Sequence, residues 1–125
     1  MPDEILVFAE HQGGKLFRST WEALAAGQSL AQDLGLTGSA VILGGNLASL
    51  ASELAQAEVS EVLVADSPLL AEYTADGTAQ ALAEIIRERK PRYVLFSHTY
   101  QVRDFAPKLA AVFDRGLVSD CLGYR

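Results

Sequence analysis

The sequence predicts an α/β fold: a three-layer, doubly wound and mainly parallel sheet of Rossmann-like type, in a single domain. Short apolar runs typical of buried strands recur at residues 5–9, 40–43, 62–65 and 93–96. The intervals between these runs are long enough for a crossover helix and too long for a hairpin turn, so the strands should be parallel. The length of 125 residues, half of them apolar, suits one domain with its own core.

The chain is acidic, with 16 Asp and Glu against 10 Lys and Arg and a formal net charge of −6. That balance disfavours a surface for phosphate backbones, so we expect no nucleic-acid partner. No apolar run reaches the roughly 20 residues of a membrane span, and the N-terminus is acidic, whereas a secretory signal begins with positive charge. We therefore expect no membrane insertion and a cytoplasmic, bacterial location.

Few residues of the chain could bind a metal or carry redox chemistry. Cys121 is the only cysteine, so it cannot form an internal disulfide, and its place in a predicted strand favours a buried, inert thiol. His11 and His98 have neither cysteine neighbours nor the spacing of two ligands on one helix. We expect no metal site.

Capping residues predict where the first two helices begin and end. Ser19 and Glu22 form a capping box that predicts the start of the first helix, and Gly35 predicts its end. Gly27, within this helix, should let it lie close to the sheet. Asn46 is expected to cap a short second helix through its side chain.

Two further helices are predicted in the second half of the chain. Residues 76–78 (Asp-Gly-Thr) should break the chain before a longer helix. Asp104 is expected to be the N-cap of the last helix, over residues 105–114, because this places Pro107 in the first turn, where a missing N–H costs nothing.

Polar side chains follow the end of each predicted strand. Glu10 and His11 follow the first, residues 44–46 (Gly-Gly-Asn) the second, Asp66 the third and residues 97–104 the fourth. Parallel sheets of this type bind ligands or partners at the carboxyl ends of their strands. This edge is therefore where function is expected.

Two of these segments resemble phosphate chemistry only in part. Residues 44–46 lie between a strand and a helix, as a phosphate loop would, but neither the dinucleotide fingerprint nor the Walker A pattern is present. A tight turn with a cap is favoured there. Asp66 invites comparison with a phospho-acceptor aspartate, but the acidic pair and the lysine that should accompany it are missing, so a helix cap is favoured.

A base and a nucleophile could meet at this edge. Glu10 with His11, and Ser97 with His98, have the side chains that such a pair requires. Ser97 has no Gly-x-Ser-x-Gly turn around it. Hydrogen bonding within the loops is the favoured interpretation, and we predict no catalytic residue.

The segment 97–104 combines hydroxyls, an amide, an arginine and an aspartate. Thr99, Arg103 and Asp104 are its candidate contacts to a nucleotide or to a neighbouring subunit, since Arg103 could reach an acidic group on either. A solvated loop with one helix cap explains the same residues. Both interpretations stay open from the sequence.

Four segments in order resemble the N-terminal domain of the electron transfer flavoprotein alpha subunit. They are residues 5–11 (ILVFAEH), 62–66 (VLVAD), 103–111 (RDFAPKLAA) and 116–121 (GLVSDC). The first strand ending in Ala-Glu-His and the Arg-Asp-x-Ala-Pro helix segment are the most specific parts. The resemblance spans essentially the whole chain, so residues 1–125 are expected to be that domain.

The resemblance implies a non-catalytic part of an electron carrier. In the family, an alpha/beta heterodimer takes electrons onto FAD from acyl-CoA dehydrogenases and other dehydrogenases, as in fatty acid β-oxidation, and passes them to a quinone oxidoreductase. FAD is held mainly by a C-terminal domain of the alpha subunit that this sequence lacks, and AMP is held by the beta subunit. No FAD-binding residue carries over to this chain, which is expected to be a scaffold for the beta subunit and the flavin domain.

Another class shares the predicted architecture. A stand-alone adenine-nucleotide-binding module of universal-stress type, with the adenine nucleotide alpha hydrolase-like fold, is the alternative, although segment 97–104 lacks the glycine loop of ATP-binding members. A hydrolase that uses Ser97 and His98 is a third class. A fifth strand is predicted over residues 117–123, and we expect an unpaired apolar edge at residues 117–124 to cause self-association of the fragment.

Overall fold

Strands and helices alternate along the chain, as the spacing of the apolar runs predicted. The computed structural model describes residues 4–12, 14–56, 59–70, 72–97 and 99–113. The predicted strand at 117–123, the edge at 117–124, Cys121 and His98 lie outside the described residues. In chain order the elements are β1 (Glu4–Ala9), β2 (His11–Gln12), β3 (Lys15–Leu16), α1 (Arg18–Leu34), β4 (Thr37–Gly44), α2 (Ala48–Leu54), β5 (Val62–Asp66), a 3₁₀ turn (Pro68–Leu70), α3 (Ala75–Arg89), β6 (Tyr93–Leu95) and α4 (Tyr100–Phe113).

The main sheet has four strands in the order β5–β4–β1–β6, and every neighbouring pair is parallel. Ile5 of β1 lies opposite Gly38 of β4 on one side and Tyr93 of β6 on the other. The chain proceeds outward from β1 to β5 and then returns to the other side of β1. The doubly wound parallel sheet is thereby confirmed, and the winding reverses between β1 and β6.

Helices cover both faces of this sheet, which gives the three predicted layers. Alternate residues of the strands point to opposite faces, so β1 and β4 contribute to two separate cores. In the first core Val7 packs with α1 and α2, and in the second Phe8 packs with α3 and α4. No helix in the described part of the chain is long and apolar enough to cross a bilayer.

The close approach of α1 to the sheet depends on a glycine, as predicted. A Cβ added to Gly27 would lie 2.5 Å from Cγ2 of Val7 and 3.4 Å from Cδ1 of Leu95. The first distance is far inside van der Waals contact, so any side chain here would push the helix away from β1 and β6. The predicted stop is also confirmed, because Gly35 ends α1 with a left-handed φ of 68°.

The strands do not all have the burial that the apolar runs suggest. β1 is buried along its whole length, whereas β5 is half-buried and Val64 is 45% exposed. The expectation that all four strands are buried on both faces is wrong for β5 and β6. Both lie at an edge of the described sheet, where fewer side chains cover a strand.

The start of α1 differs from the capping-box prediction. The helix begins at Arg18, its N-cap is Phe17, and no side chain caps it. The backbone explains the difference, because the Phe17 N–H donates to the Glu10 carbonyl at 2.9 Å and thus ties the helix start to the end of β1. Ser19 therefore lies inside the first turn, and the predicted capping box with Glu22 is wrong.

The predicted break before α3 is also wrong. Residues 76–78 lie in the first turn of the helix, which starts at Ala75. Thr74 is the N-cap, and its hydroxyl oxygen accepts a hydrogen bond from the Gly77 N–H at 3.1 Å. The turn-forming residues 76–78 thus lie in the first turn of α3, where the Thr74 side chain satisfies the Gly77 N–H.

The last helix begins earlier than predicted. α4 starts at Tyr100, so Asp104 is not its N-cap and Pro107 lies in the interior of the helix. Thr99 caps it instead, because its hydroxyl oxygen accepts from the Val102 N–H at 3.2 Å and its carbonyl accepts from Arg103 N–H at 2.9 Å. The interior proline removes one hydrogen bond, and burial of the residues around it compensates.

An ion-pair cluster closes the amino end of the sheet. Glu4, at the start of β1, is buried and receives hydrogen bonds from the Arg89 guanidinium at 2.5 and 3.1 Å and from the Ser39 hydroxyl at 2.7 Å. Arg89 also contacts Glu61 at 2.9 Å. Burial alone would raise the pKa of Glu4, but the bonds from Arg89 and Ser39 and the charge of Arg89 outweigh it and hold that pKa below its usual value.

Candidate functional site

The carboxyl ends of β1 and β6 meet at the reversal of winding, which is where sheets of this kind bind ligands. Glu10 follows β1, and Ser97 and Thr99 follow β6. The Ser97 hydroxyl donates to the Ser19 carbonyl of α1 at 2.9 Å. The sequence placed these residues at one edge of the sheet, and the structure shows which of them touch.

Glu10 is held by its backbone on the side of α1. Its N–H donates to the Thr20 hydroxyl oxygen at 2.8 Å, and the same hydroxyl donates to the Glu10 carbonyl at 2.9 Å. Thr20 is fully buried. This two-way contact fixes the chain at the point where β1 ends and the β2–β3 hairpin begins.

The carboxyl of Glu10 is buried and only half satisfied. The residue is 2% exposed, its Oε2 accepts from the Thr99 hydroxyl at 2.8 Å, and its Oε1 has no hydrogen-bond partner among the described residues. Burial raises the pKa of Glu10, and the Thr99 bond opposes that rise without cancelling it. The Glu10 carboxyl therefore stays neutral up to a higher pH than the carboxyl of an exposed glutamate does.

Thr99 connects two parts of the chain that are 89 residues apart. Its hydroxyl donates to Glu10 and at the same time accepts from the Val102 N–H in the first turn of α4. One side chain therefore links the end of β1 to the start of α4. The sequence singled out Thr99 as a candidate contact to a nucleotide or subunit, and within the chain it has this structural role.

Asp104 is also engaged inside the chain. Its carboxylate accepts from the Tyr73 hydroxyl at 2.8 Å, which joins the first part of α4 to the loop before α3. Burial, the hydrogen bond to Asp104 and the negative charges of Asp104 and Glu10 all raise the pKa of Tyr73. The phenol therefore stays protonated and keeps donating at physiological pH. Arg103, the third candidate, has an exposed side chain.

The Gly-Gly-Asn turn after β4 is closed by an aspartate. The N–H groups of Asn46 and Leu47 donate to the two carboxylate oxygens of Asp66 at 3.1 and 3.0 Å. Asn46 has a φ of 54°, and α2 starts after Leu47 without a side-chain cap of its own. Asp66 thus closes the turn that precedes α2 and does not cap the helical segment after it, so the predicted helix cap by Asp66 and the predicted cap by the Asn46 side chain are both wrong.

His11 holds the hairpin against the end of β4. Its Nε2 lies 2.7 Å from the Leu43 carbonyl oxygen, which requires the ring nitrogen to donate. A Cβ added to the next residue, Gly44, would lie 2.9 Å from the same ring, and Gly44 has a φ of 150°. Hydrogen bonding within the loops, the favoured interpretation of His11, is confirmed.

The described edge does not assemble a catalytic pair. Ser97 donates to a backbone carbonyl, His11 donates to another, and Glu10 contacts a threonine hydroxyl. Within the residues that the structure describes, no three His, Cys, Asp or Glu side chains are grouped to hold a metal ion. The arrangement is one of buried hydrogen bonds that fix loops and helix starts.

These residues do not fit the diphosphate of a flavin dinucleotide. The turn after β4 is where a phosphate would accept backbone N–H bonds, and the carboxylate of Asp66 already accepts two of them. A phosphate there would have to displace that carboxylate or lie against its negative charge.

The comparison with known proteins decides the family. The model of the Electron transfer flavoprotein domain matches residues 5–125. The chain belongs to this family. The resemblance predicted from the sequence is confirmed, and neither the family match nor the geometry favours the universal-stress alternative.

Curated proteins from several bacteria are similar to the chain. It is 38% identical to the electron transfer flavoprotein subunit alpha of Thermoanaerobacterium thermosaccharolyticum, over 96% of this chain and 36% of that protein. It is also 38% identical to the same subunit of Bacillus subtilis, over 98% of this chain and 37% of that protein. The acryloyl-CoA reductase electron transfer subunit beta of Anaerotignum propionicum is 35% identical, over 94% of this chain and 32% of that protein. The chain thus spans about a third of the length of these relatives.

Two features of this family member were missed in the sequence. The β2–β3 hairpin has two residues in each strand, too few for an alternating pattern to be visible. The burial of Glu10 was also missed, since a glutamate after a strand is usually exposed. The one available signal was that Glu10 directly follows a strand buried on both faces, at the edge where neighbouring loops converge.

We expect the Asp66→Ala substitution to destabilise the chain by about 1.5 kcal/mol, the lower end for hydrogen bonds to a charged group. Alanine leaves the Asn46 and Leu47 N–H groups without their charged acceptor. The free energy of unfolding, measured by urea titration, checks the change.

The control for this substitution is Glu22→Ala, which removes an exposed carboxylate from the surface of α1. It should change the free energy of unfolding by less than about 0.5 kcal/mol. Equal free energies of unfolding for the two variants would contradict a stabilising role for the Asp66 carboxylate.

Proposed function

We propose that residues 1–125 are the N-terminal domain of an electron transfer flavoprotein alpha subunit, and that this domain is a non-catalytic scaffold. Family membership supports the assignment to an electron carrier. Similar proteins named as alpha subunits are about three times as long as this chain, which leaves room for a further domain. That domain, at the C-terminal side, holds the FAD.

The observation that carries the proposal is the occupied turn after β4. Asp66 accepts from the N–H groups of Asn46 and Leu47, so the most phosphate-like loop of the chain is closed by its own carboxylate. A chain with this edge supports a flavin domain and does not itself hold the cofactor.

In the intact protein we propose the family's electron path. The alpha/beta heterodimer takes electrons onto FAD from acyl-CoA dehydrogenases and other dehydrogenases, and passes them to a quinone oxidoreductase in the cytoplasm or at the membrane surface. The beta subunit holds AMP. A relative named as an electron transfer subunit of acryloyl-CoA reductase and another named as a subunit of lactate dehydrogenase (NAD(+),ferredoxin) support a role beside a dehydrogenase or reductase.

The contact to the partner subunit or to the flavin domain is proposed for the start of α4. Thr99 and Asp104 are hydrogen-bonded within the chain and shape this surface, while the Arg103 side chain is exposed on it. An exposed guanidinium can bind a carboxylate of a neighbouring polypeptide through two hydrogen bonds. This supports a subunit contact, and calorimetry with AMP and ATP tests the nucleotide contact.

The experiment is reconstitution with FAD. The 125-residue chain mixed with FAD and passed over a desalting column should be colourless, whereas the chain combined with the remaining alpha polypeptide and the beta subunit should retain stoichiometric yellow flavin. The same reconstitution with Arg103→Ala should require more of the partner. Stoichiometric flavin on the 125-residue chain alone would contradict the scaffold proposal, and calorimetry with AMP and ATP would separately detect a nucleotide module.

A further inference from the structure

A buried glutamate lies at each end of strand β1: Glu4 is its first residue, and Glu10 directly follows its last. The two carboxyls differ in the hydrogen-bond donors around them. Glu4 receives hydrogen bonds from a guanidinium and from the Ser39 hydroxyl. Glu10 receives one hydrogen bond, from the neutral hydroxyl of Thr99, and its second oxygen is unpaired in the described part of the chain. The amino end of β1 is therefore built for a charged carboxylate, and the carboxyl end is not.

An ionised carboxylate is poorly satisfied at the position of Glu10. It needs several hydrogen-bond donors or water, and a buried charge without them is far more costly than the neutral acid. Oε1 of Glu10 is sealed from solvent as well as unpaired. Burial accordingly raises the pKa of Glu10, in contrast to the lowered pKa of Glu4.

The other titratable groups at this edge do not supply the missing charge. Tyr73 lies in the loop before α3, and the negative charge of Glu10 contributes to its raised pKa. Its hydroxyl donates a hydrogen bond to Asp104 of α4. His11, the next residue along the chain, uses its Nε2 on the Leu43 carbonyl. Arg103 of α4 has an exposed side chain, whereas the Glu10 carboxyl is buried.

We propose that the Glu10–Thr99 contact is a proton-dependent link between β1 and α4. With the carboxyl neutral, the contact holds the first turn of α4 against the end of β1. Loss of the proton makes hydration of the carboxylate favourable, and water reaches it when the first turn of α4 moves away. The ligand or partner edge of the sheet therefore opens as the pH rises.

The movement is confined to the first turn because the rest of α4 is anchored separately. Phe105 is fully buried and packs edge-on against Phe8 of β1, with the ring centroids 5.2 Å apart. Breaking that packing would expose large apolar surface, which costs far more than releasing one hydroxyl contact. The Val102 and Arg103 amides, whose hydrogen bonds end on Thr99, report the opening directly.

Amide hydrogen exchange between pH 5 and pH 9 tests the proposal. After correction for the intrinsic exchange rate, protection of the Val102 and Arg103 amides should fall by up to about tenfold for each pH unit between the pKa of an exposed glutamate and the raised pKa of Glu10, and should level off above it. In Glu10→Gln, whose amide stays neutral, protection should not change with pH. An equal fall in both proteins, or no fall in the unsubstituted chain, would overturn the proposal.

Two further measurements keep the test decisive if Glu10→Gln does not fold. Carbon-13 NMR of the glutamate carboxyls in the unsubstituted chain should show Glu10 titrating above Glu4, and a Glu10 carboxylate that is already ionised at pH 5 would overturn the proposal. Thr99→Val removes the donor and should leave the Val102 amide poorly protected at every pH, whereas Thr99→Ser should restore the pH dependence. A pH dependence that persists in Thr99→Val would equally count against the link.

Discussion

Replacing Phe105 by alanine is expected to lower the free energy of unfolding by about 4 kcal/mol, near the upper end for a single core substitution. Phe105 is fully buried between the sheet and α3. Its ring lies 5.2 Å from Phe8 and 5.6 Å from Phe96, both in edge-to-face geometry. Alanine removes the ring from both contacts and leaves a cavity that α4 cannot fill, since its position is also set by Thr99.

Urea or thermal unfolding of Phe105→Ala measures this loss. Phe105→Leu is the matched control, because it keeps most of the apolar volume and loses only the aromatic contacts. It should cost about 1 to 1.5 kcal/mol. A loss of the same size in both variants would mean that aromatic geometry, and not the cavity, dominates at this position.

The Arg89→Met substitution is expected to cost about 3 kcal/mol at neutral pH, as for other buried pairs that lose one partner. Methionine fills part of the space of the arginine stem but leaves the buried carboxylate of Glu4 without its charged donor. The Arg89 side chain is 27% exposed, so solvent reduces the effect below that of a fully buried pair.

The cost of Arg89→Met should depend on pH in a defined direction. The folded-state pKa of Glu4 is lowered, so its ionised, paired form stabilises the fold above the unfolded-state pKa, and that contribution is lost as the pH falls through the folded-state pKa. The difference between the two proteins should therefore shrink in acid. Arg18→Met, on an exposed residue of α1, is the control and should show no such pH-dependent loss. A constant difference from neutral to acid pH would exclude ionised Glu4 as its cause.

The strands and their parallel arrangement were predictable because they depend on apolar runs. A continuous run such as residues 5–9 is stable only when both faces of the strand are covered, and the long intervals leave a helical crossover as the connection. Parallel pairing and right-handed crossovers then restrict the topology to a doubly wound sheet. Gly27 and Gly35 were also predictable, since a close approach and a left-handed turn both favour glycine.

The helix starts were less predictable because the capping groups come from distant parts of the chain. Asp66 is the last residue of β5 but holds the turn before α2, and Thr99 caps α4 while it contacts Glu10, which follows β1. A motif search sees only neighbours in sequence, so it assigned these caps to Asn46 and Asp104. Nothing local distinguishes a side chain that caps its own helix from one that is used elsewhere.

The local sequence by itself determined the strands, their parallel arrangement, the edge at which function is expected and the family, because each depends on which residues stand in a row. Tertiary structure decided which polar groups at that edge meet and which carboxyls are paired. Glu4 and Glu10 lie in or next to the same strand with similar burial, yet only Glu4 faces an arginine. The energy of a buried charge depends on donors brought close by folding, and sequence spacing does not carry that distance.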